Sequence, residues 1–583
     1  MRIFWELREF YKKEATMYLL GIGSLIIVAL LQLVPPKLAG DFIDYVSEGT
    51  LTPKILITLV VVIGVVAVLL YGLRFVWRVT IYGASMRLGK SLRQQLFTHY
   101  TNMATVFYQK KRTGDLMALA TNDIRAVQQT AGMGVLTLVD SLTTGGFVII
   151  AMAFTISWKL TLIALIPIPI IAIFTNILGK KLHKSFREAQ AAFSNLNDKT
   201  EESVTGIKVI KTFGYQKEDV EDFQQKVVET VDVNMKVAKV DALYDPIINF
   251  CIGIAFILSV GFGSMFIVNG EMTIGQLVSF TTYLGLLIWP MLAIGMLFNI
   301  IERGHASYNR IMEVLNIEPQ IKESAKALTI IPNTSIEFEI NEFIYDKEIA
   351  LKDIYLSLQQ GETLGVVGKT GAGKSTLMRL LLREFDVTKG QIRLGGNKLE
   401  DYKIETLREA LGYVPQDAFL FSTTIQENIA FANMDATEEE ILHAAHLACV
   451  KEDIEKLPEG LQTLVGQKGV SLSGGQKQRI SIARALLLNP EILLLDDSLS
   501  AVDAKTEKTI VQNLKDNRQG KTTIITSHRL SAIEHADKII VLSEGKIDQL
   551  GTHQQLVQED GWYKKTYESQ QLENALEGGR LVE

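Results

Sequence analysis

Hydrophobic positions divide the chain into two regimes. Before residue 320 they fall in long runs thinned of charge; after it they alternate or form short runs between turns. Six runs have bilayer-crossing length, at about 15–36, 55–80, 133–156, 160–179, 246–268 and 274–300. About 20 apolar residues of helix match a hydrocarbon core about 30 Å thick. One such run also fits a buried helix of a soluble protein, but six do not. The pattern predicts a membrane domain over 1–320, a linker over 321–335, an α/β domain over 336–575 and a tail over 576–583.

Basic residues orient the membrane domain. Arg2, Arg8, Lys12 and Lys13 precede the first run, Arg74, Arg78, Arg87, Lys90 and Arg93 flank the inner end of the second, and Lys180, Lys181 and Lys184 follow the fourth. The connection after the first run carries Asp41, Asp44 and Glu48 instead. The positive-inside rule then places both termini and the α/β domain in the cytoplasm. The inward connections, about 81–132 and 180–245, are long and helix-rich. Out and back at about 25 residues each way, such a hairpin reaches about 40 Å from the bilayer. Their turns are expected at Phe107–Asp115 and Val209–Tyr215.

Asp140 stands near the start of the third run, either as a functional group or as an interfacially solvated one. The sixth run carries Gln276, Thr281, Thr282, Tyr283 and Asn299, with Glu302 beyond, around Trp289-Pro290. These polar groups line an aqueous cavity or serve as glue between helices.

Composition narrows the picture. A chain of 583 residues is too long for one core. Its net charge of -6 supplies no basic field for nucleic acid. Cys251 and Cys449 give neither a disulfide framework nor a metal spacing. The first apolar run, from near Ala15, is too long for a cleavable leader.

The chemistry lies in the second half. Gly368-Lys369-Thr370-Gly371-Ala372-Gly373-Lys374-Ser375 has the spacing of a phosphate-binding loop, with a strand, Thr363–Val367, before it and a helical run, Thr376–Leu382, after it. Glycines let backbone N–H groups turn inward around an anion, and the new helix aims its positive end there. Lys374 then meets the β- and γ-phosphates, and Ser375 holds Mg²⁺. Downstream come Gln416, the run Leu472-Ser473-Gly474-Gly475-Gln476, and an apolar strand ending in Asp496-Asp497, whose first carboxylate positions Mg²⁺. Ser500–Asp503 and His528 follow, and Tyr345 is either an adenine-stacking aromatic or an ordinary strand-face residue. Each alone also reads as a cap, a solvated acid or a satisfied histidine.

In this order the motifs resemble those of ATP-binding cassette (ABC) exporters, as half-transporters with one membrane domain followed by one cassette. The resemblance covers essentially the whole chain. It identifies Gly368–Ser375, with Thr376 beside it, with Walker A, Leu472–Gln476 with the signature motif and Leu494–Asp496 with Walker B. Gln416 matches the Q-loop residue, Ser500–Asp503 the D-loop, His528 the switch histidine and Tyr345 the A-loop aromatic. It implies ATP and Mg²⁺ as ligands, with Ser375, Gln416 and Asp496 around the metal. It further implies a type IV exporter-like, domain-crossed membrane fold whose coupling helices, near 107–115 and 209–216, touch the cassettes. The resemblance also implies that two cassettes pair head-to-tail, so that each ATP lies between one chain's Walker A and its partner's signature motif.

The chain departs from the family at Asp497, where a Glu usually polarises the attacking water. One methylene fewer withdraws the carboxylate by about 1.5 Å, and a misplacement of about 1 Å costs on the order of a hundredfold. Gln467 likewise stands where such exporters often carry Glu, yet the signature is intact. A damaged base beside an intact signature makes sense with a different partner half-transporter that supplies Glu. The family members that the chain then resembles are of the bacterial heterodimeric multidrug type, which implies a plasma membrane. The alternatives are a homodimeric lipid or peptide exporter with a slower base, and an ATP-gated channel or transporter-like sensor.

Overall fold

The computed structural model describes residues 2–324, 326–345, 347–466 and 471–580; Gln467 lies outside them. These residues form two compact units, Met1–Thr101 with Arg112–Glu318, and Asn102–Lys111 with Pro319–Glu583.

The first unit is helical. Among the described residues, five helical stretches are long and apolar enough to cross a membrane: Ala15–Ser47, Pro53–Asn102, Thr113–Leu165, Gln216–Val268 and Ile274–Leu315. The remaining predicted run, 160–179, begins on the helix Trp158–Leu165 and continues on Pro167–Thr205. Several side chains along it are outside the description. The expected turn regions hold short helices, Thr113–Ala118 and Ile207–Thr212 in this unit and Thr105–Lys110 in the segment grouped with the second. Gly214, at φ 69°, supplies the left-handed backbone that reverses the chain after Ile207–Thr212.

Packing among these helices rests on small residues and buried polar contacts. Pro35 and Pro36 cannot donate to a preceding turn, and the first long helix breaks just before them, between Leu31 and Val34. The Tyr283 hydroxyl donates to the Leu33 carbonyl at the break (2.6 Å), and Ser279 donates to that of Pro36 (2.9 Å). Tyr283 thus serves as glue between helices rather than as a cavity lining. Gln276 is spent on a capping box with Thr273 at the start of its helix. The Asp44 carboxylate accepts from Thr273 Oγ1 and from the Gly275 N–H, both at 2.7 Å. Gly40 and Gly275 permit this approach, because a Cβ on Gly275 would stand 2.1 Å from the Gly40 carbonyl oxygen. Asp140 accepts from Thr144 one turn along its own helix (2.9 Å). Where the third helical stretch bulges at Thr130–Gly134, Tyr18 donates to Ala131 O (2.9 Å) and Thr130 to Ile300 O (3.0 Å). The polar groups that a bulge disturbs therefore find partners on neighbouring helices.

The second unit is α/β. Its main sheet runs, edge to edge, Lys546–Gly551, Lys538–Ser543, Thr363–Gly368, Thr522–Thr526, Ile492–Asp496 and Leu411–Val414. All neighbours are parallel except the first pair. Strands buried on both faces read as continuous apolar runs, as Ile492–Leu495 does. A four-stranded antiparallel sheet built around Ile336–Tyr345 packs over it through Phe338, Leu351, Leu377, Met378 and Tyr402. The helical residues 425–487 close the other face around Ile425, Ile441 and Ile480. In this order the C-terminal ends of three adjacent strands, at Gly368, Thr526 and Asp496, come side by side. That is where an open parallel sheet places its ligands.

Candidate functional site

The phosphate loop leaves its strand at Gly368 and enters the helix Lys374–Leu381. Two glycines are dictated by space and backbone together. Gly368 (φ 146°) has room for a Cβ only 2.2 Å from the Leu542 carbonyl oxygen. Gly373 (φ 101°) caps the helix with its own Cβ position 2.6 Å from Leu351. A side chain at either would push the loop off the sheet. Lys374 is buried, and its ammonium donates to Gly368 O (2.8 Å) and Lys369 O (3.1 Å). Burial lowers its pKa, opposed by Asp497 and Asp496.

The loop opens on a cavity of about 490 Å³. Tyr345, Thr370, Gly371, Gly373, Lys374, Ser375, Thr376, Gln416, Asp496, Asp497 and His528, all singled out in the sequence, share its lining. Ser375 Oγ donates to Asp496 Oδ1 (2.9 Å), and so does Thr526 Oγ1 (2.8 Å) from the register-paired position on the next strand. Tyr413 holds the other oxygen of Asp496 (3.3 Å). A hydroxyl, a fixed carboxylate and the nearby Gln416 amide make an oxygen-donor set suited to a small hard cation.

Asp497 has φ +46°, the left-handed region that Asp tolerates because its short polar side chain bonds locally. Its N–H is fixed by Thr526 Oγ1 (2.9 Å). Oδ2 accepts from Gln416 Nε2 (3.3 Å) and lies 3.9 Å from His528 Nε2, while Oδ1 is buried without a hydrogen-bond partner. Burial raises this carboxyl's pKa, with His528 and Lys374 acting against it. Tyr345 packs edge-on against Phe343 and Phe385, each with centroids 4.9 Å away, which holds its ring at the cavity.

Sequence reasoning missed part of the lining. Glu348, Ile349 and Ala350 enter from the antiparallel sheet, and Glu544-Gly545 from the tip of a hairpin. Both tip residues have positive φ (48° and 77°), and the two-residue connection was a readable hairpin signal. Its reach to the site depends on Gly545 O accepting from Lys352 N (2.8 Å), a contact distant in sequence.

The signature residues stand elsewhere. Ser473 caps the helix Gly474–Leu487, with Gln476 completing a capping box, and Ser473, Gly474, Gly475 and Gln476 are absent from the cavity lining. Gly475 abuts the D-loop, where a Cβ would meet the Ala501 carbonyl oxygen at 2.9 Å. Asp503 caps the next helix by accepting from Thr506 N (3.0 Å). Its carboxylate thus serves as a helix cap, and the Thr506 N–H lowers its pKa.

Comparison with known proteins gives the same assignment. The model of the ABC transporter transmembrane region matches residues 18–291, and the ABC transporter model matches 351–500. The chain is 44% identical to the probable multidrug resistance ABC transporter ATP-binding/permease protein YheI of Bacillus subtilis, over 98% of each chain. It is 46% identical to the multidrug resistance-like ATP-binding protein MdlA of Escherichia coli, over 99% of this chain and 98% of that one. A solved bacterial Atm1-family ABC exporter with ATP bound superposes with a TM-score of 0.76 at 25% identity, covering 97% of this chain and 98% of the other. The chain belongs to the ABC transporter family, as an ATP-hydrolysing protein of the exporter fold with its membrane region and its cassette on one polypeptide.

Proposed function

We propose that this chain is one subunit of an ATP-driven exporter that moves amphipathic drugs or similar hydrophobic compounds out across a bacterial plasma membrane. It works beside a different half-transporter, and its own Walker site is the impaired one. The observation that carries this reading is the separation within one chain of an intact signature motif from a Walker cavity whose base position holds Asp. A second chain's signature would complete this cavity, and this chain's signature would complete the partner's. In this the chain resembles BmrC, the degenerate-site subunit of the bacterial multidrug exporter BmrCD. The names of the YheI and MdlA relatives support the substrate class.

In this site Tyr345 stacks on adenine, the backbone N–H groups from Gly368 through Thr376 cradle the phosphates, and Lys374 turns from its loop carbonyls to the β- and γ-oxygens. Mg²⁺, held through Ser375, Gln416 and Asp496, would offset phosphate charge. Asp497 orients the attacking water and receives its proton, from a carboxylate one methylene short of the usual reach. His528 faces the terminal phosphate from beside Asp497. ATP therefore binds here and turns over slowly, and the partner's site carries the steady-state hydrolysis.

The test is ATP-dependent uptake of a fluorescent amphiphile into inverted vesicles containing this chain, alone and co-expressed with a second half-transporter. Uptake only with the partner is the expected result. Uptake by this chain alone would establish the homodimer, and ATP-dependent conductance in a planar bilayer without uptake would establish a channel.

A further inference from the structure

The C-terminal helix Trp562–Arg580 lies beyond the matched cassette region and makes a specific contact with the switch-histidine segment. The Gln570 amide donates from Nε2 to the His528 carbonyl (2.8 Å), and its Oε1 accepts from the Leu530 N–H (3.0 Å). The parallel strand ends at Thr526, so these backbone groups lie past the sheet's ladder. On the other side, Arg529 Nη1 donates to Val502 O and Glu507, and Ser531 donates to Glu507 (2.7 Å). The segment is thus held between the start of the helix Ala504–Asn517 and the C-terminal helix. The C-terminal helix is itself anchored. Tyr563 is fully buried with its hydroxyl 2.8 Å from His553 Nδ1, and Tyr567 packs on the same core. Tyr563, Tyr567 and Gln570 fall at i, i+4 and i+7, which is one helix face.

We propose that Gln570 is a positioning residue that holds the His528 backbone so that the imidazole meets the terminal phosphate of ATP, making the C-terminal helix a working part of the nucleotide site. This rests on the reading of His528 given above. Because ADP lacks the group His528 addresses, the contribution belongs to ATP and not to ADP. Two neutral hydrogen bonds, each worth about a fivefold factor in an equilibrium, set the scale.

The experiment uses the full chain purified with its co-expressed partner. Photolabelling of this chain by 8-azido-ATP is competed with ATP and with ADP, for wild type, Gln570→Ala, Gln570→Glu and His528→Ala. Gln570→Ala is expected to weaken competition by ATP about 3- to 10-fold with ADP unchanged, as His528→Ala does. Gln570→Glu keeps the acceptor for Leu530 but sets a carboxylate oxygen against the His528 carbonyl, so it is expected to be at least as damaging. Faster amide exchange at Leu530 should accompany the loss. Unchanged ATP competition in Gln570→Ala, with His528→Ala affected, overturns the role of Gln570 and leaves that of His528 standing. Equal weakening of ATP and ADP overturns it as well, since that marks general loosening. If His528→Ala itself leaves ATP competition unchanged, the reading of His528 falls and takes this one with it.

Discussion

Asp497 Oδ2 and His528 Nε2 stand 3.9 Å apart in one cavity with Lys374, and the other Asp497 oxygen has no partner. A buried carboxylate in this position is available to a water molecule. It also costs the apo fold something to keep ionised.

That cost gives a pH dependence of known sign. Burial raises the folded-state pKa of Asp497 above its unfolded value. Its favourable contribution is complete below the unfolded value and is lost as pH rises through the folded one. Without nucleotide, Asp497→Asn should therefore be the more stable protein on the high side of that window, and the difference should shrink on acidification. Thermal unfolding of both proteins across the acidic range reads this directly. A difference that does not vary with pH would show that Asp497 is not desolvated.

Lys374 is expected to separate binding at this chain's site from turnover of the complex. Removing the ammonium in Lys374→Ala takes away the charged donor that meets the phosphates and should weaken nucleotide labelling of this chain at least tenfold. In the proposed heterodimer steady-state hydrolysis should fall only in part, because the other site would keep its own lysine. Unchanged labelling would refute the loop's role.

Gly275 is a test of the membrane unit by itself. A Cβ there meets the Gly40 carbonyl oxygen at 2.1 Å and the Asp44 carboxylate at 2.5–2.6 Å. Gly275→Val should part the two helices and break the Asp44 cap, costing about 1–3 kcal/mol. A melting temperature in detergent equal to wild type would show that the approach is not needed.

Phe213 is 80% exposed at the end of the short helix Ile207–Thr212, beside exposed Val209 and Tyr215. So apolar a turn at the end of a long helical excursion is expected to dock on a cassette. Phe213→Ala should lower transport several-fold while ATP labelling stays within twofold. Loss of both together would indicate misfolding instead.

What could be read from sequence followed the range of the interactions. Gly368–Ser375 and the apolar strand ending at Asp496 announce themselves because their chemistry is written within a few consecutive residues. The apolar runs are legible for the same reason. Gln570 was invisible, because nothing near it in sequence records that it bonds His528 and Leu530 some forty residues earlier. Asp44 reads from sequence as one acid among three in a polar connection, and its role at Gly275 depends on a residue 231 positions further along the chain. Tyr283 reads from sequence as cavity lining or as glue between helices, and the partner that decides between them is a carbonyl 250 residues away.

The proposed asymmetry of the two ATP sites gives the sharpest test. Asp497 is one methylene short, so Asp497→Asn should change the ATPase of the assembled complex by less than about twofold. Ser473 and Gly475 would instead meet the γ-phosphate in the partner's competent site, where charge develops and a single donor is worth about 10²–10³ in rate. Ser473→Ala also removes a helix cap worth about 1 kcal/mol, and Gly475→Asp drives a side chain toward the Ala501 carbonyl, 2.9 Å from where its Cβ must lie. Nucleotide labelling and melting temperature, measured alongside, separate those structural costs from catalysis. Both signature variants should lose most of the ATPase with binding retained. A homodimer predicts otherwise for the base, because Asp497→Asn would then remove it from both sites and hydrolysis would collapse while binding survived. That outcome would end the impaired-site reading and put two equal, slow sites in its place.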